Sequence, residues 1–209
     1  MTCRLCQCSD AVVQLSAGNR HYFVCPHCSL ININKEHLPD KAQEKERYLT
    51  HNNGIQFKGY VDFLSKAINP ALQFLHKDMT GLDYGCGYEP TLSRLVASHG
   101  YACEDYDPFF AQHPLSKKFD FIFSTEVFEH FFYPCRDILH IHSLLSKGGV
   151  LVIMTKRWEE VGQFSKWYYA GDPTHVCFYH SKTFDFICTE FGFEKLYDDD
   201  KDLIILKTR

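Results

Sequence analysis

Between residues 57 and 75 the apolar positions Phe57, Tyr60, Phe63, Leu64, Ala67, Ile68, Ala71, Leu72 and Leu75 recur mostly three and four apart, which places them on one face of a helix. Beyond that helix the rhythm changes. "TGLDY" (80–84), "FDFIFST" (119–125) and "VLVIMTK" (150–156) are short apolar runs that read as buried strands, and "GYACEDYD" (100–107) as a further strand. Helices are predicted over residues 90–99, over "CRDILHIHSLLSKGG" (135–149) with Gly148 as its stop, and over residues 181–191. "FEKLYDDDKDLIILKT" (193–208) reads as two strands joined by an acidic turn, an antiparallel hairpin. Strands alternating with helices imply an α/β domain with a mostly parallel sheet and helices on both faces.

The first 34 residues follow another pattern. Two strand-like pieces, "AVVQL" (11–15) and "HYFVC" (21–25), sit among two Cys-x-x-Cys pairs, Cys3/Cys6 and Cys25/Cys28, with 18 residues between the pairs. Two such knuckles joined by a hairpin supply four soft ligands for a tetrahedral zinc ion. Four thiolates close the coordination shell and leave no place for water, so zinc held there is structural. The polar stretch 35–55 suits a helical linker and a loop. The expected organisation is a zinc ribbon at 1–34, a linker at 35–55 and the α/β domain at 56–209.

Composition sharpens this picture. A 45% hydrophobic content over 209 residues suffices for one sizeable core with a small appendage. A net charge of −4 gives no general electrostatic grip on nucleic acid. No run of about 18 apolar residues exists to span a membrane, and "MTCRLCQCSD" lacks the apolar stretch of a signal peptide. The expectation is a cytoplasmic protein without membrane contact, whose ten cysteines are thiols or metal ligands rather than disulfides.

Candidate chemistry begins at "LDYGCGY" (82–88). Gly85 and Gly87 make a turn that lets a ligand approach the backbone, and Asp107 follows 20 residues after Gly87, the spacing of a ribose-binding acid. Position 90, where a dinucleotide-binding turn carries its third glycine, is Pro90. A dinucleotide needs that glycine for the helix that receives its pyrophosphate. S-adenosylmethionine has no pyrophosphate, and a proline at the start of the next helix suits it.

"GLDYGCGYEPTLSRL", "YDPFF", "FDFIFSTEVFEHF" and "LLSKGGVLVIMT" together resemble the motifs of class I S-adenosylmethionine-dependent methyltransferases. More narrowly, with "HNN" (51–53), "GYVDFL" (59–64) and "WYYAGDPTHVCFY" (167–179), the chain is similar to a group of bacterial-type methyltransferases with an N-terminal zinc ribbon. The resemblance implies a Rossmann-like sheet whose last strand is antiparallel. It implies that Asp83, Gly85, Cys86 and Gly87 border the methionine end of the cofactor, that Asp107 holds the ribose, and that Ser124, Thr125 and Glu126 lie beside it. One departure stands out. Only 11 residues separate Asp107 from Phe119, where the family fits a helix, a strand and an adenine-contacting acid. A helix and a strand average about 11 and about 5 residues, so the sheet is expected to be one strand short. Phe109 and Phe110 offer the adenine an apolar wall instead.

Methyl transfer is an in-line displacement, helped by holding the acceptor against the methyl group and, for a hydroxyl acceptor, by a base. The candidate catalytic residues are His175, Asp172, Tyr168 and His130. His175 in "DPTH" is the candidate base, with Asp172 to orient it. In "EVFEH", a helical turn would put Glu126, Glu129 and His130 on one face, a candidate set for a divalent cation. Similar Glu-x-x-Glu-His segments occur in metal-dependent O-methyltransferases and in members without a metal. The first reading is therefore O-methylation of a small-molecule acceptor. A second is an RNA methyltransferase that docks RNA through the ribbon, where Arg4, Arg20, His21 and Lys35 lie. A third is a non-catalytic cofactor-binding interaction module.

Overall fold

The computed structural model of the chain describes residues 2–9 and 13–209. Ala11 and Val12 of the first strand-like piece lie outside the described residues. The N-terminal segment forms β1 (Val13–Ala17), β2 (Arg20–Val24) and β3 (Ile31–Ile33), an antiparallel meander. Helix α1 (Lys41–Tyr48) follows. Its start is fixed by Asp40, which accepts from the backbone of Ala42 and Gln43 while the Gln43 side chain accepts from the backbone N–H of Asp40.

Helix α2 (Lys58–Ala71) is the amphipathic segment, and it buries Leu64, Ala67, Ile68 and Ala71. The alternation then proceeds through β4 (Thr80–Tyr84), α3 (Leu92–Ser98), β5 (Ala102–Tyr106), β6 (Phe119–Thr125), α4 (Pro134–Leu144), β7 (Leu145–Met154), β8 (Cys177–Phe178), α5 (Ser181–Glu190), β9 (Phe193–Asp198) and β10 (Leu203–Thr208). The main sheet has six strands in the order β5-β4-β6-β7-β10-β9. β4, β5, β6 and β7 run parallel, and β10 is antiparallel to both neighbours. Residues 107–118 contain no strand beyond a single bridge between Asp107 and Ala111, so the sheet is one strand short as the spacing predicts.

Period-two alternation divides the core between the sheet's faces. On β6, Phe121 and Phe123 pack with Leu64, Ile68 and Val96 of α2 and α3. Ile122, between them, packs with Ile138 and Ile141 of α4 and Ile187 of α5.

Two local expectations are corrected. The helix predicted over 135–149 stops at Leu144, because Leu145 pairs with Phe119 and the chain enters β7 there. Gly148, at φ 73°, is not a helix stop; it lies within that strand beside a register shift. Helix α3 begins at Leu92, so Pro90 precedes the helix rather than occupying its first position. An unexpected strand, β8, pairs with β3 and extends the N-terminal sheet to β1-β2-β3-β8. The segment around residues 167–179 is thereby seated on the N-terminal one. Tyr22, Ile31, Ile33, Phe164, Tyr169, Val176 and Phe178 share one apolar cluster.

Candidate active site

The parallel strands β4, β5 and β6 end on the same side, where ligands of open α/β sheets bind. A cavity of about 710 Å³ opens there, within the roughly 300–1,000 Å³ typical of small-molecule sites. Gly85, Cys86, Gly87, Asp107, Phe109 and Phe110 line one end, and Thr125, Glu126, Val127, His130, Phe132 and His175 continue the wall.

The turn after β4 is held by the end of β5: Gly85 and Cys86 both donate their N–H to the carbonyl of Tyr106, at 2.7 and 3.1 Å. Gly85 has φ 92°, and a Cβ there would stand 2.4 Å from a Val127 methyl, so glycine is required by both conformation and space. Asp107 accepts from Gly87 N–H through one oxygen (3.1 Å) and from Phe109 and Phe110 N–H through the other (2.7 and 3.1 Å). The carboxylate is thus fixed by three donors while its residue lines the cavity. Phe109 and Phe110 flank it, the former edge-on to Tyr48 at 5.6 Å.

Two sequence-predicted cofactor residues lie behind this wall. Asp83 is 2% exposed and Ser124 is fully buried, and neither lines the cavity. Their side chains alternate inward from the strands. Burial raises the Asp83 carboxyl well above the carboxylate range, with Asp105 and Asp107 adding like charge.

The opposite end is built from "EVFEH" and the segment 169–175. Glu126 sits at φ 55° and gives its N–H to the carbonyl of Met154 at 2.7 Å. The chain then makes a 3₁₀ turn over Phe128–His130 instead of the expected α-helical turn. This changes which groups meet. A ring nitrogen of His130, a ring nitrogen of His175 and a carboxylate oxygen of Glu129 lie within 4.8 Å of one another, and Glu126 stands outside that set. Glu129, fully buried, accepts from Thr155 Oγ1 at 2.8 Å and from the Tyr169 hydroxyl. His130 Nδ1 donates to the carbonyl of Thr174 (2.9 Å), and His175 Nδ1 to that of Tyr169 (2.7 Å). A carbonyl only accepts, so the neutral form of either ring carries its lone pair on Nε2.

Burial, opposed by Glu129 and assisted by His130, lowers the His175 pKa to about 4, so its ring is neutral near pH 7. Burial and the Glu129 charge raise the Glu126 carboxyl to about 9.

Asp172 does not orient His175 as expected. Its carboxylate takes two bonds from Arg47 (2.9 and 2.7 Å) and two from Thr174. Those bonds hold its pKa far below the carboxylate range despite desolvation. The expected catalytic Tyr168 is 70% exposed and lies off the cavity, turned outward by the short 3₁₀ segment Tyr168–Gly171. Its neighbour Tyr169 points inward instead. Sequence reasoning missed Tyr48, Tyr60 and Arg136, which also line the cavity. A lone tyrosine in the charged helix "KAQEKERY" was a usable signal for the first.

The 169–175 segment is held from the N-terminal sheet. Arg20 donates to the carbonyls of Ala170, Asp172, Pro173 and His175. Arg4, buried, donates to Asn32 Oδ1 and to the carbonyls of Ile33, Phe132 and Val176. Beside Arg4 the sulfurs of Cys3, Cys6, Cys25 and Cys28 converge within 4.8 Å. Two of their separations are 3.6 Å (Cys3 to Cys28) and 3.4 Å (Cys6 to Cys25), far beyond the disulfide length of about 2.05 Å.

Among the described residues, no helix is long and apolar enough to cross a membrane. The profile of a methyltransferase domain family matches residues 57–197. No curated protein matches the chain in sequence. Solved structures are similar in fold. The magnesium protoporphyrin IX methyltransferase of Synechocystis PCC 6803, with bound S-adenosylhomocysteine, superposes with a TM-score of 0.55 at 14% identity, over 84% of this chain and 98% of that one. An O-methyltransferase family protein from Burkholderia thailandensis gives 0.54 at 14% identity, over 83% and 65% of the two chains. A match over most of the α/β domain, together with this sheet order and a glycine turn facing an acid, places the chain in the methyltransferase-domain family, as an S-adenosylmethionine-dependent methyltransferase.

Proposed function

We propose that the protein methylates an oxygen of a small-molecule acceptor, with a structural zinc ion held by Cys3, Cys6, Cys25 and Cys28. The observation that carries this reading is the two-ended cavity: fixed backbone and Asp107 at one end, two histidines at the other. When bound, S-adenosylmethionine supplies an electrophilic methyl group on a sulfonium. Asp107 receives the ribose hydroxyls, Gly85, Cys86 and Gly87 border the amino-acid end, and Phe109 and Phe110 wall the adenine. His130 and His175 receive the acceptor.

The ring-lined cavity, of a volume typical for small-molecule sites, favours a small acceptor. The guanidinium groups of Arg4 and Arg20, which an RNA-docking ribbon would offer to phosphates, are engaged by internal carbonyls. The four converging sulfurs support zinc. A tetrahedron with Zn–S bonds of about 2.3 Å has edges of about 3.8 Å, close to the two separations observed.

Calorimetry with S-adenosylhomocysteine tests the cofactor end. The wild-type protein is expected to bind it. Asp107→Ala is expected to bind about 10- to 150-fold more weakly, the equivalent of one charged hydrogen bond of about 1.5–3 kcal/mol. An unchanged affinity in Asp107→Ala would remove Asp107 from the cofactor site.

A further inference from the structure

We infer that Glu129, His130 and His175 form a site for a divalent first-row transition-metal ion at the acceptor end of the cavity. The inference deepens the methyltransferase reading and rests on it only for what the ion does. One carboxylate oxygen and two imidazole nitrogens from two chain segments, 45 residues apart from His130 to His175, lie within 4.8 Å of one another. Two histidines and one carboxylate on one side of an ion leave its other positions open.

The surroundings are those of a metal site. Each histidine donates Nδ1–H to a backbone carbonyl, Thr174 for His130 and Tyr169 for His175, which fixes both rings with the Nε2 lone pair available. Glu129 is in turn held by the hydroxyls of Thr155 and Tyr169. The outer partners that orient ligands are therefore present for all three groups. They come from chain segments that need not otherwise converge there.

The ligand types choose the ion. Imidazole nitrogens favour iron, cobalt, nickel, copper or zinc over magnesium or calcium, which prefer oxygen shells, and the mixed set with a carboxylate also admits manganese, a paramagnetic probe. Glu129 closes the buried side, while His130 and His175 line the cavity, so the open positions face the space where the acceptor is proposed to sit. An acceptor that places a hydroxyl oxygen there would have its pKa lowered by the ion. On this assignment the histidines act as ligands, not as the base.

The test uses full-length protein carrying one equivalent of zinc, titrated with Mn²⁺ and followed by the loss of the free-ion electron paramagnetic resonance signal. S-adenosylhomocysteine binding is measured on the same samples. One equivalent of Mn²⁺ is expected to bind to the wild type. Uptake is expected to weaken by about tenfold or more in His130→Ala and in His175→Ala, with S-adenosylhomocysteine affinity kept within about threefold. Binding of S-adenosylhomocysteine without Mn²⁺ uptake, or uptake unaffected by both substitutions, overturns the site. Uptake lost in the variants while no protein binds S-adenosylhomocysteine upholds the site and overturns the methyltransferase reading. His130, only half-buried, guards against a folding failure of the more enclosed His175 variant.

Discussion

The glycine-turn end of the cavity is made by backbone from adjacent strands, whereas the histidine end is held by side chains reaching from the N-terminal segment. At the first end, β4 and β5 are neighbours, and Gly85, Cys86 and Asp107 bond to each other's turns through N–H groups. At the second, the segment 169–175 contains no long element. Its carbonyls are gathered by Arg20, its flank by Arg4, and Asp172 by Arg47. The contrast teaches that the N-terminal sheet works as a scaffold for the histidine end. A buried guanidinium satisfied by four oxygens from three segments fixes them relative to one another, because losing any of them strands a buried charge.

The largest test of that contrast is to dismantle the four-cysteine cluster beside that sheet. A structural zinc site in a small module contributes roughly 10–16 kcal/mol of apparent binding free energy that is also folding free energy. The double substitution Cys25→Ser and Cys28→Ser is therefore expected to abolish the binding of the zinc proposed there. Methyl transfer to any acceptor found for the wild type should fall below detection, while S-adenosylhomocysteine still binds. If cofactor binding disappears together with turnover, the two ends are not separately supported. The shared packing of Cys25, Cys28 and Leu30 with Ile138 and Ile187 makes that outcome a fair challenge.

Gly85→Ala attacks the other end. The added methyl would meet Val127 at 2.4 Å in a backbone conformation that favours glycine. Strain of this kind costs of order 1–3 kcal/mol, so S-adenosylhomocysteine affinity is expected to fall by about 5- to 150-fold. Metal uptake at the histidine end should stay at its wild-type level. Equal damage at both ends, read by the same Mn²⁺ titration, would contradict the division.

The division also marks what could be read from sequence. The sheet, its missing strand and the turn facing Asp107 were legible, because apolar runs and glycine spacing are local signals that the strand pairing merely extends. The resemblance places Asp83 and Ser124 beside the cofactor, and the sequence does not say that their side chains are buried off the cavity wall. At the histidine end the residues were legible and their arrangement was not. The 3₁₀ turn at Phe128–His130 depends on where β6 ends, and it exchanges Glu126 for His175 in the cluster. Tyr168 and Tyr169 are adjacent and chemically alike, and only the course of a four-residue turn decides which enters the core. No periodicity connects Arg20 or Arg47 to a segment more than a hundred residues away.

Arg20→Met is the sharper, smaller version of the cysteine-cluster experiment. It keeps an apolar stem beside Tyr22, over which the guanidinium lies at 5.5 Å, and removes the donors to four carbonyls. Turnover is expected to drop about tenfold or more, from displacement of His175 by a fraction of an ångström. S-adenosylhomocysteine affinity should stay within about twofold. A variant whose KM rises while kcat holds would show that the clamp shapes acceptor binding alone.

The smallest effect is expected at Arg47, whose pair with Asp172 ties α1 to the histidine segment. Both donors of Arg47 reach the same carboxylate oxygen, yet the Arg47 side chain is 38% exposed, so solvent screens the pair. Such pairs contribute about 0.2–1 kcal/mol, which limits the expected loss in turnover of Arg47→Met to about fivefold or less. Because α1 carries Tyr48 over the cavity and Tyr48 packs edge-on against both Phe109 and His130, this helix touches both ends. The expected pattern is therefore a small loss in turnover together with an equally small loss in S-adenosylhomocysteine affinity. A loss confined to turnover would assign α1 wholly to the acceptor side; a loss confined to affinity would make it a cover for the adenine.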